Sequence, residues 1–138
     1  MKLNEELDPK GSRGNVYDRV GGLSFFTDLV DKFYELIKDD FLLRPMYPED
    51  LNPGKQHLAG FLAQYWGGPI EYTLLRGHPR LRMRHSSFNI GKMERDSWVM
   101  HMLIALDSMS ISLDDKHVLK EYFESTATLL INNNNRNT

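Results

Sequence analysis

Residues 23–37 read LSFFTDLVDKFYELI. Phe26, Leu29, Val30, Phe33 and Ile37 recur three and four places apart, which is the period of an amphipathic helix and not the alternation of a strand. Tyr34 falls four places after Val30, on the same broad face. Asp39 and Asp40 end the pattern. Just upstream, VYDRVGG (16–22) predicts a short helical turn stopped by its glycine pair. Just downstream, Pro45, Pro48 and Pro53 prevent any long helix in the turn that begins FLLRPMYPEDL.

Helical periodicity continues along the chain. A second helix is expected from Pro53-Gly54, with proline at an early position. Leu58, Phe61, Leu62 and Tyr65 form its apolar stripe, and it stops at Gly67-Gly68-Pro69. Tyr72, Leu74 and Leu75 lie on a further short helix or loop. The stretch GHPRLRMRHSSF (77–88) opens as a loop and then makes a turn or two of helix. Residues 92–108 form a long helix, with Trp98, Met102 and Ala105 in one stripe and Val99, Leu103 and Leu106 beside it. Ser112 is the expected N-cap of the last helix, with Asp114 and Asp115 as helix-start charges. Leu119, Tyr122, Phe123, Thr126 and Leu130 are its expected apolar face. No segment reads as a strand, so the fold class is all-α, with helices burying their stripes on one another.

Length and composition set the limits. The chain has 138 residues, a net charge of −2 and no cysteine. One domain is expected over residues 16–131, between a mobile N-terminal tail (1–15) and a low-complexity, disordered C-terminal tail (132–138). Without cysteine there is no disulfide, thiolate chemistry or thioether-attached haem. A slightly acidic chain argues against general nucleic-acid binding. No apolar run is long enough for a membrane span, and the N-terminus lacks the apolar core of a secretory signal, so the cytoplasm is expected.

The chemistry concentrates around His85. Arg76, Arg80, Arg82 and Arg84 crowd against it, while Leu81 and Phe88 would share its face. A lone histidine on such a face is most often a packed, hydrogen-bonded one. Clustered arginines suit a solvated surface, a phosphate or a carboxylate site. A porphyrin would use both features, because its body is flat and apolar, its propionates are anionic and its iron seeks an imidazole. Tyr34, Tyr47 and Trp98 lie on three different segments, and each joins an apolar body to a polar tip. Taken singly, each is expected in the core with its tip at the surface. His57, His78, His101 and His117 form no HxxxH pair, which weakens a zinc-hydrolase reading.

Six segments, VYDRVGG, KFYELI, RPMYPED, FLAQYWGGP, RGHPRLRMRHSSF and ERDSW, occur in this order. Together they closely resemble the group II (O-type) truncated haemoglobins, over residues 16–130. The resemblance implies a globin-like two-over-two helical sandwich holding one haem b. It implies His85 as the iron ligand and Tyr34, Tyr47 and Trp98 as distal donors. Leu58 becomes the apolar distal residue, and Gly54 stands where many globins place a distal histidine or glutamine. With no side chain at 54, ligand entry is expected to be easier there. Phe61, His57, Tyr72 and Arg84 would contact the cofactor, the last three near its propionates. His57 stands where relatives often carry arginine or lysine, so its contact would be pH-dependent.

The function so implied is binding of O2, and of CO, NO or peroxide, at ferrous iron, with slow O2 release. Peroxidase-like or nitric-oxide dioxygenase chemistry would extend it. The latter needs a separate reductase, because the chain has no flavin or nicotinamide motif. Residue pattern alone also allows an all-α interaction module, with a structural His85 and an arginine-rich segment binding an acidic partner.

Overall fold

The structure is a computed structural model and describes residues 15–68 and 85–133. Its elements are α1 (Val16–Val20), α2 (Leu23–Ile37), a 3-10 turn (Arg44–Met46), α3 (Asn52–Tyr65), α4 (Lys92–Asp107) and α5 (Leu113–Leu129). Helix α2 packs against both α3 and α4, and α4 packs against α5. The pair α2/α3 therefore lies over the pair α4/α5, the two-over-two sandwich. The described residues contain no strand.

The spacing of three and four in α2 is what builds the centre. Phe26, Leu29, Phe33 and Ile37 are completely buried, and Tyr34 nearly so. Met102 and Leu106 of α4 and Leu119 and Phe123 of α5 meet them in one core. A side chain of this size contributes about 1.5–3 kcal/mol when fully buried. On α5 the expected face is observed with one shift: Ala127 is buried, whereas Tyr122, Thr126 and Leu130 are half-buried.

Local chemistry sets the ends of the helices. The Asn15 side chain accepts from Asp18 N at 2.8 Å and caps α1, and Gly21 at φ 115° ends it in the left-handed region. Asn15, the last residue of the expected N-terminal tail, is thus a working cap; residues 1–14 lie outside the described chain. Asn15 Nδ2 also donates to the Gly67 carbonyl, and Tyr17 N donates to the Trp66 carbonyl, docking α1 on the end of α3. Gly67 has φ 115°, and a Cβ there would run into the Asn15 side chain, so only glycine suits this junction.

Two expectations need revision. Asp115 does accompany the Ser112 N-cap, which accepts its N–H at 3.1 Å. It is also buried, and its carboxylate accepts Arg19 Nη2 at 2.8 Å and Nε at 3.2 Å. This ion pair joins α1 to α5. The C-terminal tail was expected from residue 132, yet Asn132 and Asn133 are anchored. Both backbone N–H groups donate to the Ile90 carbonyl, and Asn132 Oδ1 accepts Ile90 N at 2.9 Å. Residues 134–138 lie outside the described chain.

Asp115 is buried and Arg19 half-buried, and Asp115→Asn removes the charge that strengthens their hydrogen bonds. The substitution is predicted to lower unfolding stability by about 1.5–3 kcal/mol. Asp114→Asn, at an exposed neighbouring position, should change it by about 0.5 kcal/mol or less. Urea unfolding of the two variants checks the contrast.

Candidate functional site

Three elements bring Tyr34, Tyr47 and Trp98 together. Tyr34 comes from α2 and Trp98 from α4, while Tyr47 follows the 3-10 turn. The Tyr34 and Tyr47 rings meet edge to face at 5.6 Å. Phe33 bridges the group, 5.5 Å from Tyr34 and 5.0 Å from Trp98. The turn carrying Tyr47 is tied by Arg44, whose guanidinium donates to the carbonyls of Tyr47, Pro48 and Glu49.

Chemistry gives the cluster a direction. Indole N–H can only donate, so toward Trp98 the Tyr47 oxygen can only accept, and its own O–H remains a donor for something else. Desolvation pushes the Tyr34 phenol up to about 12. Tyr47 is raised further, chiefly by burial and then by the neighbouring Tyr34, against a smaller lowering from the nearby Trp98 indole. Both rings therefore remain protonated donors at any physiological pH.

Gly54 sits against this cluster. A Cβ there would lie 2.8 Å from the Tyr34 hydroxyl oxygen. The space left by the missing side chain is thus occupied by the Tyr34 phenol. Glycine here leaves room for that phenol, a contact separate from the easier ligand entry expected at this position. The pattern on α3 otherwise places Leu58 and Phe61 half-buried against the core, with His57 half-buried beside them.

Asp40 fixes the relation between the turn and α4. Its Oδ1 accepts Leu42 N at 2.7 Å and Leu43 N at 2.9 Å. Its Oδ2 accepts Ser97 Oγ at 2.5 Å and His101 Nε2 at 2.7 Å. Because a carboxylate only accepts, His101 carries its proton on Nε2. Burial alone would raise Asp40, but the bonds from Ser97, Leu43, His101 and Leu42 outweigh it and hold the carboxyl at about 2. Ser97 immediately precedes Trp98, and His101 follows it by one turn. Sequence reading saw Asp40 only as a helix breaker and His101 only as an unpaired candidate ligand. The aspartate's place just after α2, where a side-chain oxygen caps the next turn, was the available signal.

His85 is half-buried, with its ring 6.2 Å from that of Phe88. Its carbonyl accepts Phe88 N at 3.0 Å and Asn132 Nδ2 at 3.3 Å. Asn132 Nδ2 also donates to the Phe88 carbonyl at 2.9 Å. The end of the chain therefore anchors the segment that follows the histidine, a role that low-complexity composition concealed. Tyr72 and Arg84 lie outside the described residues.

These side chains fit a haem. Leu58 and Phe61 offer apolar surface, and His85 offers an imidazole. The buried phenols and the indole offer donors and no anionic oxygen. Glycine at 54, where a Cβ would crowd the Tyr34 hydroxyl, preserves a polar tip inside an apolar site.

Comparison with known proteins agrees with this chemistry. The profile of the bacterial-like globin family matches residues 15–132. The group 2 truncated hemoglobin YjbI of Bacillus subtilis is 36% identical over 116 residues, covering 84% of this chain and 87% of that protein. The hemoglobin of Chloroflexus aurantiacus superposes with a TM-score of 0.85 at 44% identity, covering 87% of this chain and 99% of its own. The truncated oxygen-avid haemoglobin of Bacillus subtilis superposes with a TM-score of 0.82 at 35% identity, covering 86% and 100%.

A depressed carboxyl stabilises the fold above its unfolded pKa, and that stability is lost as pH falls through the folded value. Asp40 should therefore contribute on the order of 2 kcal/mol at neutral pH, fading between about pH 4 and pH 2. Asp40→Asn is predicted to unfold at lower urea than wild type at pH 7, with the two midpoints converging in acid. A constant gap would contradict the assignment.

Proposed function

The chain belongs to the bacterial-like globin family, among the group II truncated haemoglobins, and from that premise we propose how its own residues act on the ligand. It binds one haem and, on it, small diatomic ligands such as O2. Bound haem supplies the iron that takes up the ligand and the partial negative charge the ligand then carries. We propose slow O2 release, because neutral donors from α2 and the 47 turn converge where that charge forms, the second of them steadied by Trp98 of α4.

The single observation that carries this reading is the convergence of Tyr34, Tyr47 and Trp98 from three elements around Phe33, with both tyrosines held protonated by burial. In this reading Trp98 steadies the Tyr47 oxygen, and the Tyr47 O–H is left to point at a ligand. Tyr34, seated beside Gly54, is the second donor. Donors placed in advance need no reorganisation when charge appears. Each is expected to contribute about 1–3 kcal/mol, and each 1.4 kcal/mol is about tenfold in affinity. Oxygen avidity, ascribed to the Bacillus subtilis relative, agrees with this estimate.

In the same reading His85 is the iron ligand, and Asn132 positions its segment. Leu58 and Phe61 wall the haem face, while His57, Tyr72 and Arg84 serve the propionates. The globin unit takes in residues 16–131 together with Asn15, which caps α1, and Asn132 and Asn133, which are tied to Ile90. The protein works in the cytoplasm, and nitric-oxide dioxygenation would draw electrons from a separate reductase. A tight, slow-releasing site disfavours rapid O2 carriage. An acidic-partner module would leave the convergence of Tyr34, Tyr47 and Trp98 unexplained.

Two experiments test the proposal. His85→Ala should degrade the Soret band of the purified, hemin-loaded protein and its shift with CO, whereas wild type retains both. Tyr34→Phe and Trp98→Phe should each speed O2 dissociation by about tenfold or more, measured by stopped-flow displacement with CO. Gly54→Ala should also speed it, by displacing the Tyr34 hydroxyl. Unchanged rates in all three would refute the donor account.

A further inference from the structure

A second aromatic series starts where the pocket ends. Trp98 lies 6.0 Å from Phe123, and Phe123 lies 5.5 Å from Tyr122. Tyr122 stacks obliquely on Tyr65 at 4.5 Å. Trp66 closes the group, 5.1 Å from Tyr65 and 5.4 Å from Tyr122. The series runs from α4 through α5 to the end of α3. Its first ring touches the ligand donors, and its last, Tyr65, is 54% exposed.

Packing alone does not require this arrangement. An exposed tyrosine at the end of α3 adds little to the core, and phenylalanine at 122 would fill the same volume. What distinguishes the series is its chemistry. Indole and phenol are the side chains most readily oxidised by one electron in a chain without cysteine. Phe123 is not oxidised under such conditions, but it keeps Trp98 and Tyr122 in continuous ring contact.

We propose that Tyr65 is a surface site of one-electron oxidation, connected through Tyr122 and Phe123 to Trp98 of the ligand pocket. It would be the point at which small phenols or enediols reduce the protein when a hydroperoxide is the ligand. This rests on the placing of Trp98 in that pocket. Reduction of hydrogen peroxide to two waters takes two electrons and two protons. Each electron leaves a Tyr65 phenol, whose proton passes to bulk water. The two protons consumed in the pocket come from solvent. Each Tyr65 phenoxyl radical then takes a hydrogen atom from a surface donor, AH, leaving A•. The balance is H2O2 + 2 AH giving 2 H2O + 2 A•.

Proton handling places the endpoint at Tyr65 and not at Tyr122. An oxidised phenol loses its proton, so it needs an acceptor. Burial raises Tyr122 to about 12, with a smaller opposing effect from its hydrogen bond with Thr126. It therefore holds its proton tightly. The Trp66 indole N–H is buried and finds no partner among the described residues, so it lacks an acceptor there. Tyr65 meets water directly.

The test uses the hemin-loaded full chain, treated with hydrogen peroxide in the presence of a nitroso spin trap and digested for tandem mass spectrometry. The expected result is a trap adduct on Tyr65, reduced several-fold in Tyr122→Phe and absent in Tyr65→Phe. The CO-bound Soret spectrum is recorded for each variant. An unchanged spectrum shows that the pocket is intact, which separates failure of this route from failure of the haem reading. With that spectrum intact, an unlabelled Tyr65 would overturn the proposal. So would labelling that is indifferent to Tyr122→Phe, which would mean oxidation directly from solution.

Discussion

The four hydrogen bonds converging on Asp40 are the constraint from which the site follows. Two come from the backbone of the turn after α2, and two come from side chains of α4. The turn delivers Tyr47, and α4 delivers Trp98 from the position between Ser97 and His101. A short loop and a long helix have no intrinsic reason to share a register, and one carboxylate gives them one. Its depressed pKa expresses the same fact energetically, since a proton on Asp40 would sacrifice acceptor capacity on which both elements rely.

Beyond that clamp, the pocket works by keeping polar atoms few and aimed. The Trp98 indole can only donate toward Tyr47, and Gly54 leaves open the place where the Tyr34 hydroxyl rests. Burial supports both roles, because it holds the phenols protonated and strengthens any bond they make to a developing charge. The loop after His85 is held by Asn132 through two carbonyls and one N–H. The turn before Tyr47, helix α4 and the loop after His85 are thus each held by residues outside the set proposed to meet the ligand.

Much of this was legible in the sequence. The spacing of Phe26, Leu29, Val30, Phe33 and Ile37 sets α2 because a buried stripe must follow the helical period. Proline and glycine at 45, 48, 53 and 67–68 mark the breaks for equally local reasons. Ser112 declares its helix start in the same way. What escaped were long-range pairings between individually ordinary residues. Asp115 looked like a helix-start charge and is also the buried partner of Arg19. His101 lacked any motif, because its partner is 61 residues away. Asn132 was hidden in an asparagine run. Gly54 was identified as important for ligand entry, but its close approach to the Tyr34 hydroxyl is a contact that no one-dimensional pattern displays.

The central claim is that Trp98 acts on the ligand through Tyr47 and not beside it. A double-mutant cycle on O2 dissociation tests this most directly, with Tyr47→Phe, Trp98→Phe and the double variant measured under one set of conditions. The account predicts strong non-additivity: once the Tyr47 hydroxyl is gone, removing the indole should change the rate little further. Full additivity would mean that the two side chains address the ligand independently, and the directed donor network described here would be wrong.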